Sequence, residues 1–227
     1  MIVEYFFIGM IVFLIITCHK YYEARWKKHF QMMKLLNIDS KEIEYIYIIG
    51  NKNQEEEFVY NQSGHILSAK ISDTYEGLPI KVMTGIKYIY EKYNPDGILK
   101  FDDDIIINKY DDMFKLINKY KNNNYFGAVL GSVLDTKCRL GCGHTHKKCK
   151  FAYGWMYYIS RESIKILVNN FDKRFDLCIE DCLIGSILNE NHIVPTKVDS
   201  LIADNMIMSV EITIYTLMKK NKKHKSL

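Results

Sequence analysis

Three consecutive carboxylates, Asp102-Asp103-Asp104, stand directly after the apolar segment Gly97-Ile98-Leu99-Lys100-Phe101 and directly before Ile105-Ile106-Ile107. Like charges side by side repel, and a buried strand leading into them holds them near a poorly solvating interior, so a compensating positive charge is expected. A divalent cation meets that need. In an extended segment residues two apart project to the same side, which lets Asp102 and Asp104 share one hard ion while Asp103 points away. All-oxygen ligation favours manganese or magnesium, ions that commonly complete their shells with water and substrate phosphates. The competing reading is a solvated turn or an acidic helix cap; the position at a strand end, rather than in a charged loop, favours the metal.

A second acidic pair, Glu180-Asp181, opens the apolar stretch Cys182 to Leu188. Carboxylates at a helix start cap free amides and complement the helix dipole, with no catalytic implication of their own. Gly185 inside that helix costs about 1 kcal/mol relative to Ala, which points to close packing against another element or a ligand. The loop holding Cys138, Cys142, His144, His146 and Cys149 has ligand types that suit zinc. Its spacing matches no standard finger, and a disulfide or free thiols are the alternatives.

The elements that must position these groups follow from periodicity and turn chemistry. Ile43 to Ile49 is rich in β-formers and ends at Gly50, the profile of a buried strand; a short strand is expected near Ile66 to Ile71. Helices are expected over Tyr21 to Leu36, Pro79 to Tyr93, Asp111 to Tyr120, Arg161 to Val168 and Asp181 to Leu188. Further strands are expected at Tyr125 to Leu130, Tyr157 to Ser160 and Ile193 to Val198. Strands alternating with helices predict an α/β fold with a mostly parallel sheet covered on both faces, where ligands gather beyond the carboxyl ends of the strands.

The 227 residues, 48% apolar and 26% charged, suffice for one medium domain with a packed core. The net charge of +4 is carried by the ends. Setting aside the four basic and two acidic residues of 1–28 and the five lysines of 219–227 leaves 22 basic against 25 acidic residues. That slightly acidic middle excludes the basic track of a nucleic-acid binder, while the lysine tail could touch an anionic membrane or remain solvated.

Tyr5 to Cys18 runs 14 residues without a charge, which reads as a short, uncleaved membrane-anchor helix over residues 1–20; a buried helix is the alternative. The basic residues Lys20, Arg25, Lys27 and Lys28 follow this run, and the positive-inside rule would then keep the domain cytosolic. The division expected is an anchor at 1–20, a catalytic domain at 21–218 and a disordered lysine-rich tail at 219–227.

Four segments in order resemble the inverting β1,3-glycosyltransferases, the galactosyltransferase and fringe-like family. They are Asp73-Thr74-Tyr75-Glu76-Gly77-Leu78-Pro79-Ile80-Lys81, Lys100-Phe101-Asp102-Asp103-Asp104, Tyr153-Gly154-Trp155-Met156-Tyr157-Tyr158-Ile159-Ser160 and Glu180-Asp181-Cys182-Leu183-Ile184-Gly185. Tyr21 to Asn51 is similar to the family's opening helix and first strand. The resemblance implies a GT-A type, Rossmann-like mixed sheet flanked by helices. It also implies transfer of a hexosyl or N-acetylhexosaminyl group from a UDP-sugar donor to a glycan or glycoprotein hydroxyl, with manganese or magnesium as cofactor and a secretory-pathway membrane as the usual location. By position it makes Asp181 the catalytic base and Asp102, Asp103 and Lys81 the nucleotide-sugar contacts. Asp102 and Asp104 become the metal ligands of a DxD motif, and Gly154, Trp155 and Glu180 the acceptor side. Gly77 and Pro79 depart from the family's Asn and Thr, and neither His192 nor His224 matches the C-terminal His that some members give the metal. An inactive sugar-binding or structural membrane protein, or a metal-dependent phosphoryl transferase, are the rival readings.

Overall fold

The computed structural model describes residues 9–22, 25, 43–107, 110–133, 136–137, 145–146, 148–199 and 207–209. Its organising strand is Ile11–Ile16 (β1), buried at every position. It lies between two parallel neighbours, Ile43–Gly50 (β2) and Gly97–Asp102 (β5), with Ile16 beside Ile48 on one side and Asp102 on the other. Ile11, Phe13 and Ile15 face one apolar cluster, while Val12, Leu14 and Ile16 face another. A parallel strand covered on both faces must be apolar at each position.

That requirement corrects the membrane-anchor reading. A central strand and a short membrane-crossing run carry the same sequence signature, and here Ile11–Ile16 is strand, not helix. Residues 1–8 lie outside the described residues. No helix among the described residues is long and apolar enough to cross a membrane. The strand expected to come first, residues 43–50, is therefore second in chain order. Of the helix expected over Tyr21 to Leu36, residues 21, 22 and 25 are helical, the first turn beginning at residue 19, and the remainder lies outside the described residues.

Among the described residues the main sheet has eight strands, with β5, β1 and β2 at its centre. The outer members on one side are Phe58–Asn61 (β3) and Ile66–Ala69 (β4); on the other they are Tyr125–Gly127 (β7), Met156–Ser160 (β12) and Thr196–Lys197 (β13). β1, β2, β4 and β5 run parallel, as do β7 and β13, while β12 runs against both β5 and β7 and β3 against β4. Three shorter ladders flank it: Leu130–Val133 (β8) with Cys149–Ala152 (β11), Thr136–Lys137 (β9) with Thr145–His146 (β10), and Ile105–Ile107 (β6) with Ile207–Ser209 (β14). The single strand expected over Tyr125 to Leu130 is thus split between β7 and β8.

Helix Leu78–Tyr93 (α1), with Pro79 in its first turn, covers one face together with Arg161–Asn169 (α3) and Glu180–Glu190 (α4). Helix Tyr110–Tyr120 (α2) covers the other with Met113, Leu116 and Ile117. Close approach is built into two helices. A Cβ on Gly85 would sit 2.9 Å from Leu14 Cδ1, and one on Gly185 would sit 2.6 Å from Phe151 Cβ and 2.7 Å from the Lys150 carbonyl. The Gly185 approach expected from sequence is therefore to a strand, β11.

Candidate active site

The carboxyl ends of β1 and β5, the loop between β11 and β12, the segment before α1 and the start of α4 enclose one cleft. Its larger part, about 450 Å³, is lined by Asp102, Asp104, Lys100, Glu180, Asp181 and Gly154, with Tyr75, Tyr153 and Trp155 among its apolar walls. An adjoining part of about 370 Å³ lies over Thr17, Cys18, Arg25, Asp73, Lys81 and Asp103. Tyr75, Leu78, Asp102 and Asp104 border both.

The acidic triplet is not extended throughout. β5 ends at Asp102, and Asp103 and Asp104 form a tight turn before β6. Asp103 turns back beneath β1: its amide donates to the Ile16 carbonyl at 3.0 Å, and its carboxylate accepts from Thr17 Oγ1 at 2.6 Å and from Arg25. At 8% exposure it ties the turn to β1 at the floor of the adjoining part of the cleft. Asp102 takes a 2.8 Å hydrogen bond from Lys100 Nζ. Asp104, half-buried, is pushed above the usual carboxylate range by burial first and then by Asp102 and Asp103, with Arg25 opposing. Two of the three acids thus have a cation of their own in direct contact. The remaining charge, at Asp104, faces the same cavity as Asp102.

This arrangement fits a hard divalent ion in donor type: two carboxylates share one cavity wall, and such ions take their other ligands from water and substrate phosphates. Among the described residues no three His, Cys, Asp or Glu side chains converge on one point. His192 lies in the turn after α4, whose last residue, Glu190, is roughly 13 Å along the helix axis from Asp181 at about 1.5 Å per residue. His224 and the Cys138 to Cys142 part of the cysteine loop lie outside the described residues.

Across the cleft, Asp181 occupies the first turn of α4. Its Oδ2 accepts from the Gly154 amide at 3.2 Å and its Oδ1 from the Cys182 amide at 2.8 Å. Burial raises its pKa, while these amides and Lys100 restrain the rise. A carboxylate made more basic in this way, held by two N–H groups and bordering a cavity, is suited to accept a proton.

Glu180 precedes Asp181 on α4 and borders the same cavity. It is 6% exposed and receives a hydrogen bond from the Tyr157 hydroxyl, with Lys100 Nζ 3.5 Å away. Burial pushes its pKa up to about 7 against the pull of Lys100. Its carboxylate is held by these internal partners while it borders the larger cavity beside Asp181. Lys100 itself is fully enclosed; burial works against its charge, but Asp102 and Glu180 outweigh that and hold its pKa above the ordinary lysine value.

Lys81 borders the adjoining part of the cleft. Its ammonium is 2% exposed and donates to the Thr17 carbonyl at 2.8 Å and to Asp73 Oδ1 at 2.5 Å. Asp73 also accepts from the amides of His19 at 2.7 Å and Gly50 at 3.0 Å. Burial would raise the Asp73 pKa, yet these bonds hold it below the usual range. Lys81 and Asp73 therefore pin the turns after β1 and β2 to α1, shaping the cleft from beneath.

Gly154 and Trp155 do border the cavity beside Asp181, and the Asp102 amide donates to the Trp155 carbonyl at 3.0 Å. A Cβ on Gly154 would sit 2.6 Å from Glu180 Oε2. Sequence reasoning missed Thr17 and Arg25, which were absorbed into the anchor reading, and gave no role to Lys100, Tyr157 or Tyr153. The signal for Lys100 was its alternation with Asp102 on one side of a buried strand.

The cleft is thus acidic, lies at the ends of parallel strands, and is faced by a carboxylate held by two amides and walled by aromatic rings. The chain belongs to the galactosyltransferase family, whose model matches residues 25–199. No curated protein matches it. Among solved structures it is similar to a glycosyltransferase involved in glycosylation of the major capsid of PBCV-1, at 11% identity over 84% of this chain and 83% of that one, with a TM-score of 0.46. It is also similar to a 4-diphosphocytidyl-2C-methyl-D-erythritol synthase, at 12% identity over 92% and 97% of the two chains with a TM-score of 0.47. A third is galactosyltransferase LgtC in complex with donor and acceptor sugar analogs, at 13% identity over 82% and 73% with a TM-score of 0.41. All three scores are below 0.5, so the family match defines the class.

Proposed function

We propose that this glycosyltransferase is of GT-A type and moves a hexosyl or N-acetylhexosaminyl group from a UDP-sugar to a glycan or glycoconjugate hydroxyl with inversion, forming a β1,3 linkage. The observation that carries the reading is the placement of Asp181 and the Asp102–Asp104 pair on one cavity of about 450 Å³, a volume that admits a sugar and its phosphates. Asp102 and Asp104 are the residues that would hold manganese or magnesium, which supplies positive charge where the leaving diphosphate gathers negative charge.

The chain's own residues do the remainder. Asp181 accepts the proton of the acceptor hydroxyl as that oxygen bonds to the anomeric carbon. The bond from that carbon to the phosphate oxygen breaks, and its electron pair leaves with the nucleoside diphosphate. The Gly154 and Cys182 amides fix the Asp181 carboxylate, so little reorientation is needed as the proton moves. Tyr153 and Trp155 offer ring faces beside the base, suited to the apolar side of a sugar.

The test uses the full chain with a panel of UDP-sugars and manganese. Slow UDP release without acceptor and faster release with one are expected; chelation and Asp104→Ala should each remove both. Failure of the chain to bind or hydrolyse any UDP-sugar, with manganese present, refutes the reading.

A further inference from the structure

The two sides of the cleft meet in one enclosed ammonium. Lys100 Nζ donates to Asp102 at 2.8 Å on the strand side and to the Gly154 carbonyl on the loop side. Glu180 Oε2 lies 3.5 Å away, and the Tyr157 ring lies 5.5 Å beneath the charge. Gly154 is the link to the base, because its carbonyl is held by Lys100 while its own amide donates to Asp181 at 3.2 Å. The loop's position is set on its other flank by the Asp102 amide bond to the Trp155 carbonyl at 3.0 Å.

We infer that Lys100 is a positioning residue that sets the spacing between the acidic strand end and the base, acting through the carboxylate of Asp102 and through the Gly154 residue that orients Asp181. This inference rests on the proposed function for its catalytic consequence, but its structural consequence does not depend on which donor is used. A buried ammonium with directional donors and a flexible stem hydrogen-bonds two acceptors and pairs with a third, charged group at once. Methionine fills similar space and satisfies none of them. The Gly154 site is also tight: a Cβ there would stand 2.6 Å from Glu180 Oε2 and 3.7 Å from Lys100 Nζ, so the Glu180 carboxylate would have to shift. A glycine at 154 lets the loop reach the lysine without displacing Glu180.

Removing Lys100 alone leaves Glu180 enclosed without its cation and risks the fold. The test accordingly compares Glu180→Gln with the double variant Glu180→Gln/Lys100→Met, which removes both charges together. Amide hydrogen exchange is read residue by residue in the full-length protein, with transfer kinetics alongside. In Glu180→Gln the Gly154 amide should keep its protection. In the double variant it should exchange at least tenfold faster, while the sheet amides of Leu99 and Tyr158 stay unchanged. The transfer kcat should fall at least tenfold between the two variants, with acceptor KM within threefold, and in the Glu180→Gln background Lys100→Met should add little once Asp181→Asn is present. Unchanged Gly154 protection, or an equal loss across the sheet, overturns the positioning role even if sugar transfer is found. Selective loss at Gly154 supports it even if UDP-sugars prove to be the wrong donors. A double variant with full kcat overturns it as well.

Discussion

Replacing Asp181 by Asn removes a basic oxygen while keeping nearly the same volume. The loss of a positioned general base costs about 10²- to 10⁴-fold in rate, equivalent to about 2.7–5.5 kcal/mol of barrier. A stability cost comes with it. The carboxylate accepts from the Gly154 and Cys182 amides through its two oxygens, whereas the Asn amide retains one oxygen, so one enclosed N–H loses its acceptor. An unpaired buried donor costs about 1–3 kcal/mol. The gain from removing a carboxylate that burial disfavours offsets part of that cost. At about 2–4 °C per kcal/mol for a chain of this size, Tm should fall by no more than about 10 °C. Three measurements on purified Asp181→Asn check this: transfer kcat with donor and acceptor, UDP affinity by calorimetry, and Tm. The expected pattern is kcat down at least about 100-fold, UDP affinity within threefold, and a modest Tm loss. Transfer kcat within tenfold of the parent, or UDP affinity falling in step with kcat, refutes Asp181 as the base.

Glu180 has its pKa raised to about 7 from an ordinary 4.5, so the folded state binds more protons than the unfolded state between those values. Its contribution is therefore fully favourable below pH about 4.5 and is lost as pH rises through about 7. Glu180→Gln should flatten the fall in Tm over that window, and an unchanged slope would count against the enclosed carboxylate. Gly154→Ala places a methyl group 2.6 Å from Glu180 Oε2 and should cut transfer at least tenfold while UDP binding persists, as kinetics and calorimetry would show. Lys81→Met strands the Asp73 carboxylate in the turn it holds and should lower stability by about 3–5 kcal/mol in urea unfolding. Leu14→Ala, in the middle of β1, should cost about 2–5 kcal/mol; an unaltered unfolding midpoint would be incompatible with a central buried strand.

Much of this architecture is visible in residue order. α1, α3 and α4 begin within one residue of the starts that capping and periodicity suggest, because Pro79, Ser160 and the Glu180-Asp181 pair are local signals. The cleft's two acidic groups are also visible as types at strand and helix ends. Three things are not. β1 escapes because an apolar run buried on both faces of a sheet is indistinguishable by composition from one buried in lipid. The inward turn of Asp103 escapes because it is decided by Thr17 and Arg25, 86 and 78 residues away in the chain. The enclosure of Glu180 escapes because a carboxylate at a helix start reads the same whether it meets solvent or a lysine from a neighbouring strand.

The position of β1 has a consequence for how the chain reaches its native state. Its neighbour β2 follows 32 residues later by register, from Ile11 to Ile43, but β5 on the other side follows 86 residues later, from Ile11 to Gly97. During synthesis the most water-averse segment of the protein is therefore available long before its second hydrogen-bonding edge exists. Such distant pairing is slow to form and leaves an adhesive strand uncovered meanwhile. Refolding yield should therefore drop steeply with protein concentration, and the helices packed over both faces act as the cover that ends this vulnerable interval.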